Sequence, residues 1–581
     1  MGRLARPAAR VLSGAVLIAG VLAAAPGPGG TSGGSAVTFN DATAAAGLAD
    51  VVHVHGGTGR KYYIETVPPG VCFLDYDRDG WQDLYFVQSG PLPGAPRPAG
   101  TPHSRLFRNK GDGTFVDVTD KAGVADASGY GNGCTVGDYD NDGDEDLYVT
   151  NFGPSILYRN NGDGTFTDVT QEAGVKNGLY ATSAAWADYD NDGRLDLFVA
   201  NYVDFTMDDE KFCGNARTMR RSYCHPDAYG GLPDVLYHNE GNGKFKEVAR
   251  ASGIWDPDGK GLGVVWFDYD ADGDQDLYVA NDATINTLYR NDGNGRFTDI
   301  TLLAGVCCSE DGKPQSGMGT DAGDLDGDGW QDLFVTNLSN ETNEFYRNLG
   351  GKGLFSIDTY PAGLGEVSLL MTGWGTDMFD YDNDGDLDIV VTNGHPMDDI
   401  ALDSDIITYA QRPFLFENDG HGKFADAGRA HGAYFGTPAV GRGLATADYD
   451  NDGDLDFVVA ANNGHAKLLR NDGGAAAGRF ITLRLEGTRC NRDAIGARVT
   501  VRAGGRTQVQ EVRSASSYLS QNDMRLHFGL GAATQVDSIE IRWPEKVKKV
   551  EKVGPAATDQ FLIIREGSGI VAKSGPGTAS R

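Results

Sequence analysis

The sequence predicts an all-β protein, namely a seven-bladed β-propeller closed by an N-terminal strand and followed by a small C-terminal β-sandwich. Three observations support this prediction. An acidic nonapeptide of the form DxDxDGxxD occurs seven times, each copy between two short apolar stretches. A second repeat, typified by LYRNNGDGTFTDVT, lies between the acidic copies. The C-terminal region alternates polar and apolar residues, which is typical of half-buried strands.

The start of the chain is typical of a secretory signal peptide. Three arginines precede an apolar run from Val11 to Leu22, and small residues continue to Ala25. The run is short for a membrane span. We therefore expect cleavage near Ala25, a flexible linker over residues 26–36, and a mature protein that is secreted, periplasmic or on the cell surface.

The charge balance restricts the class of partner. The chain has 581 residues and a formal net charge of −32. Such a negative chain is a poor match for nucleic acid or an anionic membrane surface, since both repel it. Its 40% hydrophobic content is enough for a core, and its 82 glycines indicate many turns. We expect an unidentified protein or glycan ligand, no nucleic acid and no membrane span.

Each acidic copy has the oxygen ligands that calcium prefers. Counted from the first aspartate, carboxylates occupy positions 1, 3, 5 and 9, glycine occupies position 6, and position 7 can offer its carbonyl. An EF-hand would need a glutamate at position 12 and flanking helices, and magnesium demands a tighter octahedron. We predict up to seven Ca²⁺ ions in β-hairpin loops, with a stabilising role. The alternative is seven solvated acidic turns.

Each copy therefore contributes five predicted metal ligands, of which the position-7 residue contributes its carbonyl. In chain order, the ligands are Asp75, Asp77, Asp79, Trp81 and Asp83; Asp138, Asp140, Asp142, Asp144 and Asp146; Asp188, Asp190, Asp192, Arg194 and Asp196; Asp268, Asp270, Asp272, Asp274 and Asp276; Asp324, Asp326, Asp328, Trp330 and Asp332; Asp380, Asp382, Asp384, Asp386 and Asp388; and Asp448, Asp450, Asp452, Asp454 and Asp456.

The second repeat completes a four-stranded unit. Its Asn/Gly centre suits a tight turn between two further strands, so one period has the content of a propeller blade. After the last acidic copy only LLRND (Leu468–Asp472) remains, whereas the missing half appears at the other end as VTFNDATAAAGL (Val37–Leu48). We predict that this N-terminal strand completes the last blade of a propeller over residues 37–479. An open solenoid is the alternative.

These motifs carry a family resemblance. The acidic hairpins with LYRNxGDGTFxDVT resemble FG-GAP/VCBS repeats, which form the blades of integrin-α-like propellers. The stretches NRDAIGARVTV (Asn491–Val501), SSYLSQNDMRLHFGLG (Ser516–Gly531) and VDSIEIRWP (Val536–Pro544) resemble an ASPIC/UnbV domain. The combination resembles the cartilage acidic protein family and its bacterial members. That resemblance implies an exported, calcium-binding propeller with an adhesion or interaction role, and it implies no catalytic residue. We assign residues 480–566 to the β domain and 567–581 to a flexible tail.

The seven cysteines permit disulfides in an exported protein. Cys213 and Cys224 flank a short polar loop, and we predict that they are bonded. Cys307 and Cys308 could form a vicinal bridge or remain two thiols. Because the count is odd, at least one thiol has no partner within the chain, and no spacing is typical of a zinc site or a catalytic cysteine.

Four histidines are candidates for a further site. His53 and His55 share one strand face, and His395 and His465 each follow a strand that leaves an acidic loop. In a closed ring they could meet at one face and bind a second metal or a polar ligand. The alternative is that each ring hydrogen-bonds to the backbone of a loop.

Three tryptophans and one arginine are open to two interpretations. Trp186, Trp266 and Trp374 precede acidic loops, where packing between blades explains them better than sugar stacking. Arg442, in VGRGLA, remains ambiguous between a structural and a binding role.

The function that the sequence favours is a secreted interaction protein that presents loops on a rigid scaffold. An enzyme on a propeller scaffold, such as a lyase or hydrolase of extracellular polysaccharide, is the alternative, and a structural matrix component is a third. The sequence shows no Ser/His/Asp set and no nucleophile motif, so we assign no catalytic residue, and enzymatic activity stays uncertain.

Overall fold

The computed structural model describes residues 37–579, apart from 58, 99, 127–128, 209–210 and 474–476. The predicted signal peptide and linker fall on residues 1–36 and lie outside the described residues. Strands dominate, and each α-helix has only four residues. Within the described ranges, no helix is long and apolar enough to cross a membrane.

The repeats form four-stranded antiparallel sheets, which are numbered in chain order. Strand β1 (Thr38–Asp41) belongs to the last of them. Sheet 1 has β2 (Val71–Leu74), β3 (Asp83–Phe86), β4 (Arg105–Asn109) and β5 (Phe115–Asp117); sheet 2 has β6 (Gly131–Gly137), β7 (Asp146–Asn151), β8 (Ile156–Asn160) and β9 (Phe166–Asp168). Sheet 3 has β10 (Ala181–Ala187), β11 (Asp196–Asn201), β14 (Val235–Gly241) and β15 (Lys244–Glu247), and the hairpin β12 (Gly214–Asn215) and β13 (Arg220–Arg221) is inserted within it.

The remaining sheets of the repeat region follow the same plan. Sheet 4 has β16 (Gly261–Phe267), β17 (Asp276–Asn281), β18 (Thr287–Asn291) and β19 (Phe297–Asp299); sheet 5 has β20 (Thr320–Gly323), β21 (Asp332–Val335), β22 (Glu344–Asn348) and β23 (Phe355–Ile357). Sheet 6 has β24 (Gly373–Phe379), β25 (Asp388–Asn393), β26 (Phe414–Asn418) and β27 (Phe424–Asp426); sheet 7 has β28 (Gly441–Ala447), β29 (Asp456–Ala461), β30 (Lys467–Asp472) and β1.

Short helical turns join the sheets. They are α1 (Thr119–Ala122), α2 (Thr170–Ala173), α3 (Ala249–Ser252), α4 (Thr301–Ala304) and α5 (Gly365–Ser368), with 3₁₀ turns at Tyr63–Glu65, Pro226–Ala228, Ile400–Leu402, Gly428–Ala430 and Ala433–Gly436. The first four helices each end at a glycine in the left-handed conformation. This explains the glycine of the repeated AGV/SGI segment, because the left-handed position is costly for residues with a Cβ.

The sheets close into a ring. β1 pairs antiparallel with β30, with Phe39 opposite Asn471, so the N-terminal strand completes sheet 7. The innermost strands β2, β6, β10, β16, β20, β24 and β28 contact one another in that order, and β28 returns to β2. The prediction of an all-β propeller is confirmed, and closure pairs edges that an open array would expose.

The C-terminal region forms a two-sheet β domain. One sheet has the order β34 (Leu526–Gly531), β31 (Arg479–Glu486), β38 (Gln560–Arg565) and β39 (Gly569–Ser574); the other has β33 (Arg506–Glu511), β32 (Arg498–Ala503), β35 (Gln535–Arg542) and β36 (Val550–Val553), with β37 (Ala556–Ala557) also on β35. The predicted flexible tail over 567–581 is wrong for β39, which pairs with β38 through main-chain hydrogen bonds.

The C-terminal domain lies on the ring face that carries the acidic loops. Its buried residues share one apolar core with sheets 2 and 3, in which Ile495 and Trp543 are clustered with Trp186 and Leu195. This core buries Trp186 completely, and Trp266 and Trp374 are also buried. All three tryptophans are therefore packing residues, as the sequence favoured.

A segment of this domain, residues 514–523, enters the middle of the ring, and we call it the central loop. Ser517 exchanges two main-chain hydrogen bonds with Thr320 of sheet 5, at 2.7 and 3.0 Å. The Leu519 carbonyl accepts a hydrogen bond from the Cys134 amide of sheet 2 at 3.1 Å. Tyr518 and Leu519 are fully buried. The central loop therefore fills the space that the innermost strands surround.

Three disulfides are present among the described cysteines. The predicted pair Cys213–Cys224 has its Cα atoms 5.1 Å apart. Cys72–Cys134 joins β2 to β6, and Cys307–Cys308 is a vicinal bridge, which are two pairings that the sequence left open. Cys490 is a buried free thiol.

Candidate metal centres

The acidic loops share one hydrogen-bonding scheme, which residues 380–388 illustrate. The carboxylate of Asp380 accepts hydrogen bonds from the amides of Asp384 at 3.1 Å and Gly385 at 2.8 Å. Asp384 in turn accepts one from the Asp386 amide at 2.9 Å. Gly385 has φ +96°, a conformation that glycine alone adopts freely. The chain thus curls around its own carboxylates, as a nine-residue metal loop requires.

The last aspartate links each loop to the second repeat. Asp388 accepts a hydrogen bond from the Asn418 amide at 2.8 Å, and the Asn418 side chain donates to the Leu325 carbonyl in the loop of the preceding sheet, also at 2.8 Å. The same bond to the preceding loop recurs at Asn109, Asn160, Asn239, Asn291, Asn348 and Asn471. The sequence interpretation missed this role, although an asparagine at this position in every copy is a usable signal.

Carboxylates at positions 1, 3 and 9 converge. In the copy Asp75, Asp77 and Asp83, one oxygen of each side chain lies within 4.8 Å of the others, and the same holds for the three copies that follow. The predicted position-5 aspartates are not part of these groups. At Asp190 and Asp192 the third member is His238, so a position-5 carboxylate does belong to a metal-compatible group there.

Several of these oxygens are buried without a hydrogen-bond partner. Six of the seven copies contain at least one such oxygen. Such atoms are Asp77 Oδ1, Asp190 Oδ1, Asp196 Oδ2, Asp268 Oδ1, Asp324 Oδ1, Asp388 Oδ2 and Asp450 Oδ1. An unsatisfied buried carboxylate oxygen costs free energy, and a hard cation with oxygen ligands would satisfy it. The residues present therefore fit a calcium ion.

Burial and mutual repulsion both act on the clustered carboxylates of the loops. Burial, with repulsion from Asp384, raises the pKa of Asp382 to about 7. Burial, with repulsion from Asp450 and Asp454, raises the pKa of Asp452 to about 8. At position 9, burial raises the pKa of Asp83 and Asp276 well above the usual value. Protein groups alone thus do not compensate the clustered charge.

The residue before the repeated asparagine lies beside the loop carboxylates, and its own charge differs between copies. Arg108 forms ion pairs with Asp77 and Asp79 in the first loop, and Arg347 pairs with Asp326 in the fifth. In the sixth copy this position is Glu417, whose charge instead adds to the repulsion on Asp382. The seven loops are therefore chemically unequal.

The C-terminal domain also contacts the loops, mainly through basic side chains. These contacts reach at least six copies. They are Arg484 with Asp75, the Asp138 amide with Asp493, Arg542 with Asp268, Arg498 with the Gly329 carbonyl, Arg506 with Asp386, and Arg525 with the Asp448 carbonyl. At Asp75 and Asp268, the C-terminal domain therefore contacts a carboxylate of the predicted metal-ligand set.

The candidate histidines lie at the opposite ring face, which we call the far face. His53 Nδ1 accepts a hydrogen bond from the Asn463 amide at 3.1 Å, and its Nε2 lies 2.9 Å from Ser89 Oγ. His55 Nδ1 accepts from the Gly57 amide, and His395 Nδ1 from the Met397 amide. His55 and His395 thus bond to their own loops and His53 bonds to the loop at Asn463. These bonds to loop backbone match the alternative interpretation, so the predicted second ligand site gains no support.

Arg442 has a structural role at the far face. It is fully buried and donates hydrogen bonds to the carbonyls of Thr66 at 2.8 Å, Gly394 at 3.2 Å and Gly441 at 2.8 Å. Its guanidinium lies 3.9 Å from the centre of the Trp374 ring. It therefore ties the segment before β2 to sheets 6 and 7.

Replacing Arg442 should destabilise the fold. We expect Arg442→Met to lower the free energy of unfolding by about 2–4 kcal/mol, because three buried carbonyls lose their donor. Urea denaturation at constant calcium measures this change. The exposed Arg429 provides the control, since surface substitutions are usually within about 0.5 kcal/mol. An equal effect of Arg429→Met and Arg442→Met would contradict the structural role.

Comparison with known proteins matches the repeats and the C-terminal domain to two protein families. Residues 75–149, 138–199, 227–279, 268–335, 324–391 and 402–459 match the FG-GAP-like repeat, and residues 487–571 match the ASPIC and UnbV family. Cartilage acidic protein 1 of Mus musculus is 25% identical over 502 residues, covering 82% of this chain and 70% of the relative. The Homo sapiens protein is 26% identical over 452 residues, covering 73% of this chain and 61% of the relative.

Two similar solved structures have low TM-scores. An Agrocybe aegerita lectin that recognises non-reducing terminal N-acetylglucosamine has a TM-score of 0.38 at 16% identity, covering 70% of this chain and 94% of the lectin. An exotype rhamnogalacturonan lyase has a TM-score of 0.31 at 15% identity, covering 85% of this chain and 90% of the lyase.

Proposed function

This chain belongs to the FG-GAP-like repeat family and carries an ASPIC and UnbV domain, and from that premise we propose that it is an exported, calcium-binding interaction protein. The propeller is the rigid scaffold, calcium stabilises its loops, and exposed surfaces outside the loops bind a protein or glycan. The mammalian relatives carry the name cartilage acidic protein 1, which is compatible with an extracellular role.

The observation that carries the calcium assignment is the set of buried, unpartnered carboxylate oxygens in six loops. In each loop we propose that the side chains at positions 1, 3, 5 and 9 and the carbonyl at position 7 hold one ion. For the sixth copy these are Asp380, Asp382, Asp384, Asp388 and the Asp386 carbonyl. The bound ion supplies positive charge, and the chain supplies a preformed ring of oxygens.

Calcium stoichiometry tests this assignment. We expect up to seven ions per chain by elemental analysis after dialysis against calcium, and one fewer in Asp384→Ala. The exposed Asp537 lies in the C-terminal domain outside the loops, so Asp537→Ala is the matched control and should keep every ion. Equal calcium content in the two variants would remove position 5 from the ligand set.

The counter-charges described above predict unequal calcium affinities. Arg108→Gln should tighten the first site at least tenfold, because a unit positive charge near 4 Å repels another by about 4 kcal/mol at an effective dielectric of 20, whereas tenfold needs about 1.4 kcal/mol. Glu417→Arg should weaken the sixth site by a similar factor. Titration against a chromophoric calcium chelator measures both.

The control for these two charge changes is Glu366→Arg, an exposed position on α5 outside the acidic loops. It should leave every site unchanged at moderate salt, where separated surface charges are screened. If Arg108→Gln and Glu417→Arg leave the titration curve unchanged as well, these side chains do not neighbour the bound ions.

No observation on the described residues favours the alternative of a polysaccharide enzyme. Tyr63, Tyr202 and Asp282 form a hydrogen-bonded chain at the far face, the kind of arrangement that can move a proton. Both tyrosines are buried, however, and Tyr63 is itself the first residue of the 3₁₀ turn Tyr63–Glu65. We therefore assign this chain of hydrogen bonds to packing of the ring.

A further inference from the structure

Two insertions meet at the far face and form a single surface, which we call the far-face patch. The first is the hairpin at residues 211–224, closed by the Cys213–Cys224 disulfide and by pairing of β12 with β13. The second is the loop at residues 396–411. Arg220 Nη2 lies 2.8 Å from Asp403 Oδ2, and Ser222 Oγ donates to Asp399 Oδ1 at 2.9 Å. These contacts fix the two insertions against each other.

The patch exposes an unusual amount of apolar side chain. Met219 is 72% exposed, Leu402 65%, Ile406 69% and Phe212 38%. Because Arg220 and Ser222 contact Asp399 and Asp403, the exposed apolar residues of the two insertions lie on neighbouring stretches of backbone. Grouped exposed apolar residues mark interaction sites more often than isolated ones do.

One half of the patch, the hairpin, is basic. The other half, residues 396–411, holds four aspartates, of which Asp398 pairs with Lys61 and Asp399 and Asp403 pair with Arg220. Residues 211–224 hold Lys211, Arg217, Arg220 and Arg221 and no acidic residue, in a chain of net charge −32. Arg217 and Arg221 are exposed, and neither forms an ion pair with any described residue. The Arg221 guanidinium lies 5.4 Å from the Phe212 ring centre, so its charge is held beside apolar surface.

We propose that the far-face patch docks a protein partner whose contact surface is acidic and apolar. The inference rests on the proposed interaction function and identifies the surface that binds the partner. Exposed Arg and Met beside an aromatic ring match the residues enriched at protein interfaces. The disulfide and the ion pairs order the hairpin before binding, which lowers the entropic cost of association.

Two other occupants fit the patch less well. A polyanionic glycan would use the arginines, but Met219, Leu402 and Ile406 offer it neither hydrogen bonds nor an aromatic stacking face. A second copy in a two-fold dimer would offer Arg217 and Arg221 the aspartates of residues 396–411, but three of those four are already paired with Lys61 or Arg220.

A peptide display experiment tests the proposal. Random twelve-residue peptides are selected on the calcium-loaded protein, and the enriched peptides are synthesised and titrated by fluorescence anisotropy. We expect enriched peptides to combine Asp or Glu with apolar residues. Their affinity should fall at least tenfold in Arg217→Glu/Arg221→Glu and also in Met219→Ser/Leu402→Ser.

Matched controls change the same residue types elsewhere. Arg296→Glu/Arg429→Glu alters two exposed arginines, and Leu302→Ser/Leu303→Ser alters two exposed leucines of α4. Both should keep affinity within twofold. Peptides without acidic enrichment, or a loss of affinity as large in the controls as in the patch variants, would overturn the proposal.

Further measurements distinguish the other two occupants from the proposed partner, and they test the proposed calcium function independently of the patch. Light scattering that shows a dimer abolished by Arg217→Glu/Arg221→Glu would replace the partner with a second copy. Binding of polygalacturonate that survives Met219→Ser/Leu402→Ser would replace it with a polyanion. Calcium-dependent melting should be unchanged in every patch variant, so a failed docking site leaves the calcium assignment intact.

Discussion

Removing calcium should lower the melting temperature of this protein by about 15–20 °C. A ligand at 100 times its dissociation constant stabilises the folded state by about 2.7 kcal/mol per site, so seven independent sites give roughly 19 kcal/mol. Unfolding entropy is about 2.1 cal/mol/K per residue, so for a chain of this length 1 kcal/mol shifts melting by about 1 °C. The acidic loops should open first, because their carboxylates then repel one another.

Thermal melts with excess chelator, with calcium and with magnesium measure this effect. Calcium should raise the melting temperature more than magnesium, because the loops offer many flexible oxygen ligands rather than a small rigid octahedron. Calcium added back after chelation provides the control for irreversible damage and should restore the original transition. A melt that chelator leaves unchanged, with no calcium found by elemental analysis, would leave the loops as solvated acidic turns.

The repeat architecture could be predicted because its determinants are local. Asp380, Gly385 and Asp388 lie within one nonapeptide, and their hydrogen bonds form within that loop or with the next strand pair. Closure by β1 was also predictable, since Val37–Leu48 supplies the half-repeat that is missing after Asp472. Periodicity and turn chemistry specify these elements without long-range information.

The docking of the C-terminal domain could not be predicted in this way. The Leu519 carbonyl meets Cys134, and the Tyr518 hydroxyl donates to the Val67 carbonyl at 3.0 Å across a separation of 451 residues. No periodic pattern signals such contacts. The same limit applies to Arg442, whose carbonyl partners include Thr66 at a separation of 376 residues. Tertiary packing decides the role of a residue that local sequence leaves open.

Emptying the middle of the ring should cost about a quarter to a half of the stability that calcium removal costs. We expect Tyr518→Ala/Leu519→Ala to lower the free energy of unfolding by about 5–9 kcal/mol, because each buried large side chain contributes about 2–5 kcal/mol when truncated. Leu519 has φ +56°, a conformation that branched side chains rarely adopt, so alanine keeps the backbone strain and loses the packing. Urea denaturation at saturating calcium measures the change.

The pattern of unfolding separates the role of the central loop from a general loss of packing. Wild-type protein should unfold with the C-terminal domain and the ring in one transition, because the loop contacts several innermost strands from inside. The double variant should show two transitions and earlier proteolysis within residues 514–523, since the domain then depends on the apolar core shared with sheets 2 and 3 and on its contacts with the acidic loops. Tyr518→Phe, which removes only the hydrogen bond to Val67, should cost about 1 kcal/mol and keep a single transition. A single transition in the double variant would show that the shared apolar core and the loop contacts hold the domain on the ring without the central loop.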